Sequence, residues 1–176
     1  MKKGFTLIEL LIVIAILAVL ATAVITVLNP AELLKQARDS TRISDLAALN
    51  SAISLYLSDV SSPNLGSCSA STARCTASST SGLVTRSACS VVTSTNVTGS
   101  GWVDINFTSI SSGSPLPKEP IDPVNNSSYF YSYGCDNSSL KYEIDARLES
   151  SKYASTTQTD GGDTSSVYEV GNSLTL

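Results

Sequence analysis

The 176 residues contain no histidine, which removes the commonest general base and the commonest metal ligand. Without it no serine here has the partner of a hydrolytic triad, and nothing in the sequence points to a Ser–Lys pair either. Basic residues are in the minority, 11 Lys and Arg against 15 Asp and Glu. A net negative surface repels phosphate backbones and anionic headgroups, which argues against intrinsic nucleic-acid binding. Charged residues make up only 15% of the chain and aromatics 6%. The length suffices for one domain with a core and hardly for two.

What is present is concentrated at the start, in Lys2-Lys3-Gly4-Phe5-Thr6-Leu7-Ile8-Glu9. A secretory signal places its small exit residue after the apolar core. Here the small residue, Gly4, precedes it, so cleavage at Gly4 removes the cations and leaves the apolar run on the mature chain. From Phe5 to Leu28 there is a single charge, Glu9. Leu10 to Leu28 spans about 28 Å as a helix, and with Phe5 to Glu9 it crosses a bilayer core of roughly 30 Å. It is apolar on every face, so lipid or a bundle of like helices must surround it. An acid in such a span costs roughly 2.5–3.5 kcal/mol at the centre, less near an end, and marks function. A plain single-span anchor needs neither Glu9 nor the Gly4–Phe5 junction.

The stretch Gly4-Phe5-Thr6-Leu7-Ile8-Glu9-Leu10, with the apolar helix behind it, resembles the class III leader of type IV pilins and of type II secretion pseudopilins. The resemblance is strong from residue 1 to about 58. It implies that a membrane-bound prepilin peptidase cuts after Gly4 and methylates the new amino terminus, Phe5. It further implies that Glu9 pairs with the free amine of Phe5 on a neighbouring subunit and sets its register. The expected function is polymerisation into a type IV pilus-like extracellular filament, a helical homopolymer assembled by inner-membrane machinery. The expected location is the inner membrane, then the filament, with no enzymatic activity and an adhesive or surface role. A periplasmic pseudopilus is the alternative within this class. A monomeric membrane-tethered domain, for example one binding glycan, is the alternative from another class.

Beyond Leu28, Asn29-Pro30-Ala31-Glu32 allows a kink at Pro30 or a break and restart, with Asn29 as N-cap and Glu32 at the third position. Residues 29–60 then read as an amphipathic continuation of the helix, with Leu46, Leu49, Ile53, Tyr56, Leu57 and Val60 in one stripe facing a sheet. Lys35, Arg38, Asp39, Arg42 and Asp45 read as a solvated face or as contacts between subunits. Residues 61–101 form a Ser/Thr-rich loop with at most a short strand near Ser90 to Thr93. All four cysteines follow the apolar segment, an even number consistent with two disulfides in an oxidising compartment. Three pairings are open; the one favoured is Cys68–Cys75 with Cys89–Cys135. Spacings of 7, 14 and 46 leave no close cysteine pair to seed a zinc site.

Strand signals begin at Trp102, where Trp102 to Phe107 alternates apolar and polar. Residues 128–133 and 140–146 flank a turn and read as a hairpin, and a last strand is expected over 166–170. The globular domain, 61–176, thus has an antiparallel sheet in 102–176, and the whole is α+β: a long helix packed on a small antiparallel sheet, the pilin fold that the resemblance also implies. Pro117-Lys118-Glu119-Pro120-Ile121-Asp122-Pro123-Val124-Asn125, followed by Tyr129 to Tyr133, resembles a stretch of major pseudopilins, some of which bind a structural calcium through a late acidic loop. The residues here that could take that role are Asp160 and Asp163, with Asp122 more remote; the alternative is an ordinary Asp/Gly turn with no ion, and no other cofactor is expected. Tyr129, Phe130, Tyr131 and Tyr133 read as sheet faces rather than a stacking platform.

Overall fold

A computed structural model describes residues 4–176; Met1, Lys2 and Lys3 of the leader lie outside them. The chain divides into two compact units, Met1–Lys35 and Gln36–Leu176.

In the first unit, α1 (Leu7–Leu28) is followed at once by the start of α2 (Pro30–Asp59). The junction is a break and restart, with Asn29 in the left-handed region at φ 41°. Asparagine tolerates that conformation, and its carbonyl accepts from the N–H of Glu32 at 3.0 Å and of Leu33 at 3.3 Å. Its side chain also accepts from Glu32 N–H at 3.4 Å. Pro30 sits at the first helical position, where its missing N–H costs nothing.

The second unit contains the rest of α2, a five-stranded sheet and its loops. The strands are β1 (Thr72–Cys75), β2 (Ala88–Val91), β3 (Tyr131–Asp136), β4 (Lys141–Ala146) and β5 (Tyr168–Gly171), in the order β2-β1-β3-β4-β5. The expected hairpin is β3–β4, paired from Tyr131↔Ala146 to Asp136↔Lys141, and the expected last strand is β5. The sheet is not wholly antiparallel, because β1 and β2 pair in parallel. Both lie within residues 61–101, so this region is a sheet edge as well as a loop. The end of β2 coincides with the short strand expected near Ser90 to Thr93, whereas β1, four residues long, has no periodicity for a sequence reading to detect.

Leu46, Leu49, Ala52, Ile53 and Tyr56 of α2 are buried against Tyr131, Tyr133, Tyr142, Ile144 and Ala146 of the sheet. This is the expected stripe, and each such side chain contributes roughly 1.5–3 kcal/mol by leaving water. The aromatic run divides by strand alternation: Tyr131 and Tyr133 face α2, while Phe130 joins Ala73, Cys75 and Leu83 in a smaller cluster.

Trp102 to Phe107 is not a strand. Trp102, Val103, Ile105 and Phe107 are all fully buried, and Phe107–Ser109 is a 3-10 turn. The backbone here is satisfied one group at a time: Trp102 N–H donates to Ser94 O at 2.9 Å, Phe107 N–H to Val97 O at 2.9 Å, and the Arg74 guanidinium donates to Trp102 O at 2.9 Å. Alternation reported burial correctly, but loops and side chains replaced the neighbouring strand that would have made it β.

The charges on α2 depart furthest from expectation. Asp39 and Arg42 are fully buried. The Arg42 guanidinium grips Asp122 with two hydrogen bonds, 2.6 and 3.0 Å, and donates to Asp39 at 2.8 Å. It also meets Glu149 at 2.6 Å and lies 4.9 Å from the centre of the Tyr129 ring. Asp39 in turn accepts from the backbone N–H of Glu149 and Ser150 at 2.9 and 2.8 Å. Arg38, one turn before Arg42, donates to the shared Glu149 at 2.8 Å. Burial works against the Arg42 charge, yet its hydrogen bonds to Asp122 and Glu149 hold its pKa above the ordinary value. The hydrogen bond from Arg38 holds Glu149 below the usual carboxylate range.

The disulfides are Cys68–Cys135 and Cys75–Cys89, not the favoured pairing. The reason lies in β1, which the sequence did not suggest, and in its pairing with β2, of which the expected short strand near Ser90 to Thr93 covers only the end. The parallel register sets Ala73 beside Cys89, with Cys75 two residues on along the same face. The segment before β1 runs back to β3, where Leu65 N–H donates to Asn137 at 2.7 Å and Tyr133 Oη donates to Leu65 O at 2.8 Å. That places Cys68 at Cys135.

Two measurements check this fold. Arg42→Met strands Asp39 and Asp122 in the interior, and urea unfolding of the detergent-solubilised chain is expected to show a loss of about 3–5 kcal/mol; a loss under about 1 kcal/mol contradicts the network. Peptide mapping without reductant is expected to recover Cys68–Cys135 and Cys75–Cys89. Their loops of 67 and 14 residues predict that removing the first by paired serine substitution costs about 4 kcal/mol and the second about 3 kcal/mol.

Candidate functional site

In the first unit Thr6 and Glu9 form a reciprocal cap at the start of α1. Glu9 N–H donates to Thr6 Oγ1 at 3.3 Å, while the Glu9 carboxylate accepts from Thr6 N–H at 2.9 Å and from its hydroxyl at 2.7 Å. The Thr-x-x-Glu spacing is a capping-box signature, a second role for Glu9 that could have been read from sequence. Gly4 has nothing within 4 Å of where a Cβ would sit, and Phe5 is 83% exposed. The described side chains of α1 are all exposed, and Leu7–Ile25 is long and apolar enough to cross a membrane. A helix with no packed face within its own chain requires a cover of lipid or other apolar helices. Pro30, at the first position of α2, marks a restart, not a bend within one helix.

In the second unit the calcium candidates separate. Asp122 is taken: both its oxygens hold Arg42, and Oδ1 also accepts from Val124 and Asn125 N–H at 2.8 and 3.1 Å. Asp160 accepts from Gly162 and Glu169 N–H at 3.1 and 3.0 Å, shaping the turn before β5. Asp163 is exposed and accepts from the Thr164 hydroxyl at 3.2 Å.

Beside this turn stands a cluster that sequence reasoning missed: Glu143, Asp145 and Glu169, at 1%, 1% and 2% exposure. Glu143 and Asp145 alternate on β4 with Tyr142, Ile144 and Ala146, so they lie on the face away from α2. Glu169 is the partner of Asp145 on β5. One oxygen from each can be chosen so that all lie within 4.8 Å of one another. Burial raises all three: Glu143 to about 8, with repulsion from Glu169 adding to it, Asp145 well above the usual range, with repulsion from Glu143 and Glu169, and Glu169 upward, with repulsion from Asp160 and Asp163. The only available signal was Glu-x-Asp in β4, and its polar face reads naturally as solvent-facing until residues 160–167 are known to cover it.

A separate buried acid, Glu119, lies in the proline-rich segment, where it accepts from Val103 N–H at 3.0 Å. Burial pushes it up to about 8, against the pull of the Val103 and Trp102 N–H groups and Arg74.

Residues 1–25 match the prokaryotic N-terminal methylation motif. None of the curated proteins or solved structures compared with the chain matches it. The match covers the leader and most of α1, and with the α+β architecture it supports a class III prepilin leader on a type IV pilin-like protein. The motif implies processing by prepilin peptidase and fits a membrane-anchored precursor that is later exported, and it suggests a structural protein.

Glu119 gives this region a pH signature. Its folded pKa of about 8 lies above the ordinary value of 4.5, so its contribution to stability is full below pH 4.5 and is lost as pH rises towards 8. Glu119→Gln is expected to abolish that part of the decline, so that thermal midpoints of variant and wild type diverge from pH 5 to 8 by the equivalent of a few kcal/mol, on the order expected from such a shift. Parallel pH profiles for the two proteins contradict the assignment.

Proposed function

We propose that the chain is the structural subunit of a type IV pilus-like extracellular filament, polymerising through α1 after cleavage between Gly4 and Phe5. The observation that carries the proposal is the exposed α1, apolar throughout except for Glu9, behind a leader that matches the methylation motif. Cleavage leaves this helix on the subunit, and bundling many copies replaces its lipid contacts with helix contacts. The new Phe5 amine is a cation for Glu9 of an adjacent subunit. A misplaced neighbour leaves Glu9 among apolar groups without that partner, so the pairing sets register.

The partners are further copies of the chain, the prepilin peptidase and an inner-membrane assembly machinery. The globular unit, stapled by two disulfides and rich in surface hydroxyls, suits an extracellular surface. The proline-rich stretch through Asp122 favours the pseudopilin reading, in which the same polymer remains periplasmic.

The deciding experiment is intact mass and N-terminal sequencing of material sheared from native cells. The expected product starts at methylated Phe5 and is two hydrogens lighter per disulfide. Recovery of that product only in the periplasm selects the pseudopilus. A membrane-retained chain still carrying its leader, with nothing sheared off, overturns the filament and leaves the tethered domain. Glu9→Ala is expected to insert in the membrane and lose the leader normally, yet to lower sheared filament by roughly tenfold or more, as befits loss of one partner of a buried ion pair.

A further inference from the structure

We infer that the face of the sheet away from α2 binds a divalent cation of the calcium class through the carboxylates of Glu143, Asp145 and Glu169. This site is separate from polymerisation and stands or falls independently of it.

Three carboxylates converge from two adjacent strands in a place closed to solvent. Among the described residues, no salt bridge joins any of them to a lysine or arginine. The contrast with Asp39, Asp122 and Glu149, buried in the same unit around Arg42, is direct. Hydrogen bonds satisfy part of the cluster: the Ser132 hydroxyl donates to Asp145 Oδ2 at 3.2 Å, Leu176 N–H to Glu143 Oε2 at 2.7 Å, and Thr164 N–H to Glu169 Oε2 at 3.2 Å. Two oxygens, Asp145 Oδ1 and Glu169 Oε1, are buried with no hydrogen-bond partner. An unpaired buried acceptor costs about 1–3 kcal/mol, more if charged. Two of them beside each other's negative charge are explained by a cation between them.

The donor set fixes the class of ion. It is all oxygen; there is no histidine, and the four cysteines are in disulfides. Such ligands suit hard cations. Calcium binds at about 2.3–2.6 Å, which allows opposed ligand oxygens up to about 5 Å apart, and magnesium at about 2.0–2.1 Å allows only about 4 Å. The oxygens of the cluster all lie within 4.8 Å of one another, inside the spread that calcium allows. Three carboxylates offer up to six oxygens, the low end of what calcium takes. Gly162 closes the site: a Cβ there would stand 1.5 Å from Glu169 Oε2, so only glycine lets the covering loop approach. The ion joins β4 to β5, and Asp160, through its bond to Glu169 N–H, ties the covering turn to the same point.

The test uses the full chain in detergent, stripped of metal with chelator, then measured by equilibrium dialysis with calcium and by thermal unfolding. One calcium per chain is expected, with a dissociation constant of about 0.1–1 mM as in extracellular modules. At about twenty times that constant the unfolding midpoint is expected to rise by roughly 4–7 °C, with magnesium giving a smaller rise. Glu169→Gln and Asp145→Asn are expected to lose the bound ion and the calcium-dependent rise. Without metal, both variants should unfold no lower than stripped wild type, since each relieves like-charge crowding. That pattern separates a ligand from a residue needed only for packing. Absence of calcium uptake by the wild type at about ten times the upper constant overturns the site, as do a midpoint indifferent to calcium and variants that bind like wild type.

Discussion

The globular unit depends on the burial of one guanidinium. Arg42 has no exposure, and its partners come from three places distant in sequence: Asp39 on its own helix, Asp122 after the proline-rich stretch, and Glu149 beyond β4. A buried ion pair contributes little net stability against apolar packing, but an arrangement that leaves one charge alone is strongly disfavoured. The proline-rich segment has little regular structure to locate it. It is located instead by Arg42 on Asp122, by Glu119 on Val103 N–H, and by Trp102 Nε1–H donating to Pro120 O at 2.8 Å. The same centre fixes where the chain goes after β4, because Asp39 collects the N–H groups of Glu149 and Ser150.

The legible parts of this fold were those in which one face of one element decides the outcome. The stripe from Leu46 to Tyr56 could only be a helix face, and Tyr142, Ile144 and Ala146 could only be the inner face of a strand. The N-terminal signature was legible because its spacing, not its packing, carries the meaning. The failures share a different character. Asp39 and Arg42 read as solvated because helix periodicity shows a polar side but says nothing of what covers it. The cysteine pairing depended on β1 and β2 lying side by side in parallel, a non-local fact with no trace in a Ser/Thr-rich composition. Trp102 to Phe107 showed the burial of a strand without its hydrogen bonds. In each case the residue pattern reported environment, and the missing information was which distant segment supplied it.

The unit buries acids in three ways. Around Arg42, cations neutralise them. At Glu119, burial favours a proton at neutral pH, with Arg74 and two backbone N–H groups pulling the other way. At Glu143, Asp145 and Glu169 three carboxyl groups converge, and Asp145 Oδ1 and Glu169 Oε1, like Glu119 Oε1, are buried with no hydrogen-bond partner; the convergence of three acids is what sets that cluster apart. All three lie beyond α1 in sequence, so their chemistry concerns the integrity of the globular unit and not the apolar helix.

Helix α1 faces the opposite problem, a surplus of exposed apolar surface with a single acid. In the isolated chain Glu9 is already satisfied by the Thr6 N–H and hydroxyl. A helix cap of this kind contributes about 0.5–2 kcal/mol, enough to hold the carboxylate in place without making its release prohibitive. Pairing with a neighbour's amine in a low-dielectric bundle is a charge–charge interaction and stronger than the cap it competes with. On the proposed filament reading, the cap lets a monomer wait in the membrane without a naked acid, and a charged partner displaces it. On that reading removal of the leader does more than shorten the chain. It creates an amine at the start of α1 that competes with Thr6 for Glu9.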